Sequence, residues 1–455
     1  MTHVQELAQF VKRASWEDLS PEARDALKVR VLDSLACAIG ALGGEPIRMV
    51  HDLIRELGGR PLCTLIGDGL IAPDRAAFYN GALVRYLDFN DSYLAKGETC
   101  HPSDNLGAVL AAAEYANANG RQLLTALAVA YQVQCRLSDV APVRARGFDH
   151  VTHGAFSAAA GAAKALDLDV AQTANALAIA GTAYNALRVT RTGELSNWKG
   201  LAFPDAGRNA LHAVLLARQG ITGPLAVFEG NKGWRETISG PWELDWSKEN
   251  LERVTMTDLK RFNAEIHSQS AIEGMLELGQ ENQLSPADIE SIRIDIFDVA
   301  YNIIGGGEEG DKTVVRTKEQ ADHSLQYMVA VAALDGQVLP EQYQPERILR
   351  PDVQSLLRRV IVTPNEEYSR LFPAEHACKL TVTLKDGQRL VKEKTAYTGF
   401  HTRPMPWQMV ETKFRRLTAP YADGALQQEL IDAVRSLDSL LASDLIRLLA
   451  SVRQP

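Results

Sequence analysis

The chain has 455 residues, of which 46% are hydrophobic and 23% charged, and a formal net charge of −9. This is the balance of a globular protein with a core large enough for two or three domains. It argues against a nucleic-acid or anionic-membrane partner, and an anionic substrate would need a local basic pocket. Cys37, Cys63, Cys100, Cys135 and Cys378 are odd in number and scattered, with no CxxC pair. They read as reduced thiols in a cytosol-like compartment, with no zinc or iron–sulfur framework. No apolar run reaches the roughly 18 residues of a membrane span. The N-terminal MTHVQELAQFVKRA reads as an amphipathic helix with internal charges, lacking the apolar centre of a signal peptide.

In chain order, Ser20-Pro21-Glu22 starts a helix that runs to Leu42 and ends at Gly43-Gly44. Residues 47–57 form a second, shorter helix, and 63–66 a short strand or an extended link. Residues 73–87 are helical and deliver Asp88. The next stretch, DFNDSYLAKGETCHPSD at 88–104, packs acids, a hydroxyl, a lysine and a histidine between two alanine-rich apolar segments. Asp88 and Ser92 are four apart, so on a continuing helix they share a face. Pro102 pushes His101 out of the helical region. Residues 105–119 then read as a helix ending at Gly120, which puts His101 at a helix N-terminus, where an anion is favoured. A capped helix preceded by a solvated loop explains the same spacing.

Residues 123–139 are helical, with Gln134 and Arg136 near the end. In RGFDHVTHGAFSAAAGAAKAL, His150 and His153 are three apart and share a helix face; with no third ligand nearby, no metal is expected. Arg188, Arg191 and Lys199 fall within twelve residues. They form either a solvated basic face or a carboxylate-binding cluster, since guanidinium forks grip carboxylates and an ammonium supplies a point charge. Residues 204–220 are helical. No glycine group makes GxGxxG or GxxxxGK[ST], so nucleotide binding is not expected. In LKRFNAEIHSQ, Lys260 and Arg261 add charge and Glu265 and His267 add acid–base groups. Beyond Ser270 the pattern changes to an α+β unit. Residues 289–297 alternate as a half-buried strand, and 322–334 form a helix with Asp322 as cap. Residues 352–359 lead into a strand at 360–363, and two strands flank Asp386-Gly387. The tail from Trp407 to Val452 returns to helix and is expected to pack on the N-terminal helices.

Arg85, Asp88, Phe89, Asp91 and the run His101-Pro102-Ser103-Asp104 resemble the signature of the MmgE/PrpD family, which includes 2-methylcitrate dehydratase, cis-aconitate decarboxylase and iminodisuccinate epimerase. The resemblance continues at Gly147-Phe148 and Gly154, at Trp198-Lys199-Gly200, at Glu265-His267-Gln269 and along KEQADHSLQYMVAVAALDG, so it covers nearly the whole chain. Helical content without βαβ alternation already points to a mainly α protein. The resemblance implies a large all-helical domain at 1–268, completed by helices at 397–455, with a smaller α+β lid domain inserted at 269–396. It further implies a cytoplasmic homodimer without a cofactor.

The activity implied is a lyase that dehydrates a small tricarboxylate, 2-methylcitrate to 2-methyl-cis-aconitate in propionate catabolism. The alternatives are cis-aconitate decarboxylation and epimerisation at a carbon α to a carboxylate. Asp88, Ser92, His101, Lys199, Lys260 and Tyr301 line the site by resemblance. His101 is the first choice for acid–base work, because an imidazole titrates near neutral pH. Lys199 and Lys260 would bind carboxylates, with Arg188 and Arg191 as further contacts, and Asp88 would orient His101 or Lys199. Glu265 or His267 would supply a second acid–base group. In the decarboxylase branch a histidine follows Gly-Phe directly; here Asp149 does, with His150 next, so Asp149, His150 and His153 all stand for that role. The decarboxylase branch also carries histidine where Glu265 stands, which favours the dehydratase branch. A non-enzymatic helical interaction protein is the reading from another class, and the acid–base residues argue against it.

Overall fold

Leucine and alanine at helical spacing, punctuated by Ser-Pro, Asp and Gly caps, make this chain mainly helical. The structure is a computed structural model and describes residues 1–453; the final two residues of the expected C-terminal helical segment lie outside them. It divides into two compact units. The first comprises Met1–Arg191, Asn197–Thr257 and Pro406–Pro455, and the second Thr192–Ser196 and Asp258–Met405. The family resemblance implies borders near 269 and 396, and the long segment of the second unit runs from Asp258 to Met405. Backbone pairing explains the shift: Leu259 donates to the Gly399 carbonyl at 2.8 Å, and His401 N–H donates to the Asp258 carboxylate at 2.7 Å.

In the first unit the helix Pro21–Gly40 is capped by Ser20, whose hydroxyl accepts from Ala23 N–H at 3.0 Å. Helix Pro73–Tyr86 packs against Leu106–Tyr115 and Trp198–Arg218, and Gly120–Val140 packs against Val151–Ala165. The first contact needs glycine at 107: a Cβ there would stand 2.5 Å from the Gly81 nitrogen. That approach fixes the two helices flanking residues 87–105. From the C-terminal segment, helix Trp407–Thr418 packs along Pro21–Gly40, as the sequence leads one to expect.

The second unit is built on a four-stranded sheet in the order Val360–Pro364, Ile289–Ile296, Cys378–Leu384, Arg389–Lys394. The first pair is parallel, with Ile294 opposite Val362; the others are antiparallel. Ile292, Ile294 and Ile296 are fully buried while Arg293 faces out, the alternation the sequence predicts. Helices Gln269–Asn282 and Leu325–Asp335 pack on this sheet. Asp322 does not cap the latter; Ser324 does, accepting from Tyr327 N–H at 3.1 Å, and Asp322 pairs with Lys318 at 3.0 Å. Among the described residues no helix is long and apolar enough to cross a membrane. The five cysteines are buried, and none is in a disulfide among the described residues.

Candidate active site

The helix expected to carry Asp88 and Ser92 on one face stops at Tyr86. Leu87 is its cap, and Asp88 turns into the left-handed region at φ +53°. Aspartate tolerates this better than most side chains, yet the conformation is uncommon outside glycine and tends to occur at functional sites. The carboxylate also sits at a helix C-terminus, where the dipole disfavours negative charge. Two cations offset this: Arg85 Nη1 donates to Asp88 Oδ1 at 2.6 Å, and Lys199 Nζ lies 3.2 Å from Oδ2. Lys199 belongs to the first turn of helix Trp198–Arg218. The sequence suggests a start near Pro204, but that proline lies inside the helix.

His101 does not sit on a regular α-helix N-terminus. A single 3-10 turn, Pro102–Asn105, separates it from helix Leu106–Tyr115. Its ring is 8% exposed and is oriented by the chain just before it: Nδ1 lies 2.8 Å from the Asp91 carbonyl and 3.0 Å from Ser92 Oγ. A carbonyl only accepts, so Nδ1 carries a proton, and in the neutral form of the ring the lone pair is on Nε2. Asp91 is in turn fixed by Ser103 N–H at 3.0 Å on Oδ1 and by Tyr131 O–H at 2.7 Å on Oδ2. Asn90 donates to Ser103 Oγ at 2.9 Å and Asp104 Oδ1 at 2.8 Å. Burial raises the Asp91 carboxyl, and raises Asp104 to about 7 against the charges of Arg85 and Arg191.

A second imidazole faces the first. The rings of His101 and His150 are 5.3 Å apart at 73°, edge to face. His150 Nδ1 lies 3.1 Å from Asp149 Oδ1, which places its proton on Nδ1. Burial lowers His150 to about 3, assisted by the charges of Arg191, Arg85 and Arg188 and opposed by Asp149. The other Asp149 oxygen, Oδ2, accepts from Arg191 Nε at 2.9 Å and stands 3.8 Å from Arg188 Nη1. Burial acts to raise Asp149, but Arg191, His150 and Arg188 together hold it well below the usual carboxylate range. Arg191 Nη1 donates to the Lys199 carbonyl at 2.9 Å, so this guanidinium links His150's partner to the lysine helix. Among the buried polar atoms of this cluster without a hydrogen-bond partner among the described residues are His150 Nε2 and Arg191 Nη2. An acceptor and a donor left in this state are exceptions that an ordered water, a ligand or a catalytic role would account for.

His153 departs from the shared-face expectation. Its Nε2 lies 2.8 Å from the Ala141 carbonyl and its ring packs edge-on to Trp234, so the two imidazoles are aimed at different partners. The same contact explains the geometry: His150 is the residue before helix Val151–Ala165, and only His153 lies within it.

The second-unit candidates are placed differently. Glu265 caps the 3-10 turn Ile266–Ser268, its Oε2 accepting from His267 N–H at 2.8 Å. His267 is fully buried, with its ring 5.5 Å from Phe297 and 5.6 Å from Phe372. Lys260 is fully buried as well. Tyr301 opens a π-helical turn, Tyr301–Gly305, a distortion frequent at functional sites.

Sequence reasoning gave no role to Asp91 or Arg85 and missed Tyr131 and Glu98. Arg85 and Asp91 stand in the family signature. Glu98, which accepts N–H groups from Val143 at 3.2 Å and Arg144 at 3.0 Å, carries no local signal at all.

Two family models and several known proteins match the chain. Residues 5–247 match the MmgE/PrpD N-terminal domain and residues 262–439 the MmgE/PrpD C-terminal domain. The chain is 27% identical over 423 residues to 2-methylcitrate dehydratase of Salmonella typhimurium, covering 86% of this chain and 84% of that one. It is 28% identical over 469 residues to 2-methylcitrate dehydratase of Cupriavidus necator, covering 94% and 93%. It is 26% identical over 442 residues to cis-aconitate decarboxylase of Mus musculus, covering 91% and 86%. These relatives are lyases, and by the two domain matches the chain belongs to the MmgE/PrpD family.

Proposed function

We propose that this protein is a hydro-lyase that dehydrates a small tricarboxylate, 2-methylcitrate to 2-methyl-cis-aconitate. The observation that carries the reading is the pair of unsatisfied buried atoms on either side of Asp149, the acceptor His150 Nε2 and the donor Arg191 Nη2, beside an oriented His101. Four cations, Arg85, Arg188, Arg191 and Lys199, stand in this cluster. Two of the acids among them, Glu98 and Asp104, are pushed up to about 7 and so carry only part of a negative charge at neutral pH. The surplus positive charge suits a polycarboxylate.

The chemistry follows from the tautomers. The lone pair of His101 Nε2 takes the proton from the carbon α to a carboxylate. The C–H electrons form the C=C bond as the C–O bond breaks, and hydroxide leaves with a proton from the imidazolium or from the Lys199 ammonium, as water. His150, held neutral, is an acceptor and not the acid. The guanidinium groups and Lys199 hold the carboxylates and the charge that develops on them. Lys260, Glu265, His267 and Tyr301 lie in the second unit, and the steps above use first-unit residues alone.

The test is product analysis with metal-stripped protein given 2-methylcitrate, citrate or cis-aconitate. Loss of 2-methylcitrate with formation of 2-methyl-cis-aconitate is expected, with no itaconate from cis-aconitate. The similarity to the mouse decarboxylase favours decarboxylation as the second reading; itaconate formed faster than 2-methylcitrate is dehydrated would establish it. A homodimer, as expected of the family, is part of the same proposal, and a single-chain mass by light scattering would remove it.

A further inference from the structure

A lysine from the C-terminal segment reaches the loop that carries Asp88. Lys413, on helix Trp407–Thr418, donates to the Phe89 carbonyl at 2.7 Å, and its ammonium lies 3.7 Å from the centre of the Phe89 ring. The same ammonium is 2.7 Å from Asp33 Oδ1 on helix Pro21–Gly40. Lys413 is 7% exposed, Asp33 1% and Phe89 not at all. Burial raises the Asp33 carboxyl, and Lys413 is the main influence that lowers it again.

A buried ion pair is a poor device for stability alone, because well-packed apolar residues of similar volume often serve as well or better. What this pair does that apolar residues cannot is hold a backbone carbonyl. Phe89 directly follows Asp88 in its left-handed conformation and precedes Asn90 and Asp91, whose contacts set Asp104 and His101. Such backbone strain persists only where the surroundings over-determine it. Phe89 is gripped on its carbonyl and on its ring by one charge, and Arg85 grips Asp88 from the helix side.

We propose that Lys413 is a positioning residue: by pinning Phe89 it holds Asp88 against Lys199 and keeps the Asp91 carbonyl aimed at His101. This rests on the reading of that cluster as the site of dehydration.

Lys413→Met alone would strand a buried carboxylate and unfold the protein for that reason, so the charge pair is removed together. The variants are K413M/D33N and K413Q/D33N, which differ in whether a donor to the Phe89 carbonyl remains. Two readouts are taken: amide hydrogen exchange across 87–92 and the kcat and KM for 2-methylcitrate. K413M/D33N is expected to exchange at least about tenfold faster in 87–92 while helix 407–418 stays protected, and to lose about 10- to 100-fold in kcat, the range for groups that orient a reacting residue, with little change in KM. K413Q/D33N should recover part of both at similar thermal stability, which a purely structural role would not produce. Wild-type kcat and unchanged exchange in a folded K413M/D33N overturn the proposal. Should that variant not fold, K413L/D33L, which also lacks the donor, takes its place and is read against wild type in the same way. If wild-type protein turns over none of the tricarboxylates, the functional reading fails, and the exchange measurement still tests whether Lys413 holds the loop.

Discussion

Glu98 in the first unit and Glu273 in the second are both nearly fully buried, 3% and 2% exposed, yet their surroundings push them in opposite directions. Glu273 meets Arg261 at 2.8 Å, Lys394 at 2.9 Å and Arg403 at 3.1 Å; burial acts to raise it, and Lys394 and Thr398 bring it down to about 2. Glu98 accepts backbone N–H groups, and burial together with the Asp149 charge pushes it up to about 7. The imidazoles differ in their neighbours. His267 lies among the rings of Phe297 and Phe372, whereas His150 faces the His101 ring and the Asp149 carboxylate. At Glu273 the second unit pairs its buried charge with cations; the first keeps a left-handed aspartate at 88 and, in Glu98 and Asp104, acids that burial raises. Groups left in that condition are where chemistry is to be sought, because a protein selected for stability alone would satisfy or remove them.

The largest expected effect breaks or upholds this contrast directly. His101→Gln should lower turnover by about 10² to 10⁴, the range for loss of a general acid–base group, with the fold retained in the circular dichroism spectrum. Near-wild-type turnover would reduce His101 to a structural group. Next, Lys199→Met should both raise KM and lower kcat, by about tenfold each, since a lost carboxylate partner weakens ground and transition states together. A change in thermal stability alone would make Lys199 merely the counter-ion of Asp88. The third effect is smaller in kinetics and larger in stability. His267→Gln should lower unfolding free energy by about 1–3 kcal/mol, as for other disturbed cores, and leave turnover per folded molecule within a few-fold. A loss matching that of His101→Gln would erase the contrast and bring acid–base chemistry to the second unit.

How much of this could be read from the chain depends on how local each cause is. The 88–104 stretch was legible because acids, serine and histidine crowd between apolar helices, and short-range contacts such as His101 to Asp91 and Ser92 then tie them together. The alternation of Ile292, Ile294 and Ile296 placed the central strand for the same reason. The end of the helix at Tyr86 was not legible, because nothing at Asp88 announces a left-handed residue; glycine or asparagine would have. The early start of the Lys199 helix was hidden by Pro204, which reads as a first-turn proline but sits in the interior. Lys413 and Glu98 were invisible, since their partners Phe89 and Val143 are 324 and 45 residues away.

The smallest effect is the most specific to the contrast, because the two glutamates must respond to pH with opposite sign. Between an unfolded value near 4.5 and a folded value of about 7, native Glu98 binds more protons than the unfolded chain. Its contribution to stability is therefore complete below 4.5 and is lost as pH rises through 7. Glu273 is the reverse: between about 2 and 4.5 the unfolded chain binds more protons, so its contribution is present above 4.5 and lost as pH falls toward 2. Glu98→Gln cannot ionise and should gain on wild type as pH rises from 5 to 8, by on the order of 1–3 kcal/mol at the upper end. Glu273→Gln should be less stable than wild type at pH 7, with the deficit closing as the solution is acidified. Denaturant unfolding at half-unit steps of pH measures both. Curves for Glu98→Gln and wild type that run parallel from pH 5 to 8 would show that Glu98 is an ordinary ionised carboxylate, and that the contrast with Glu273 does not hold.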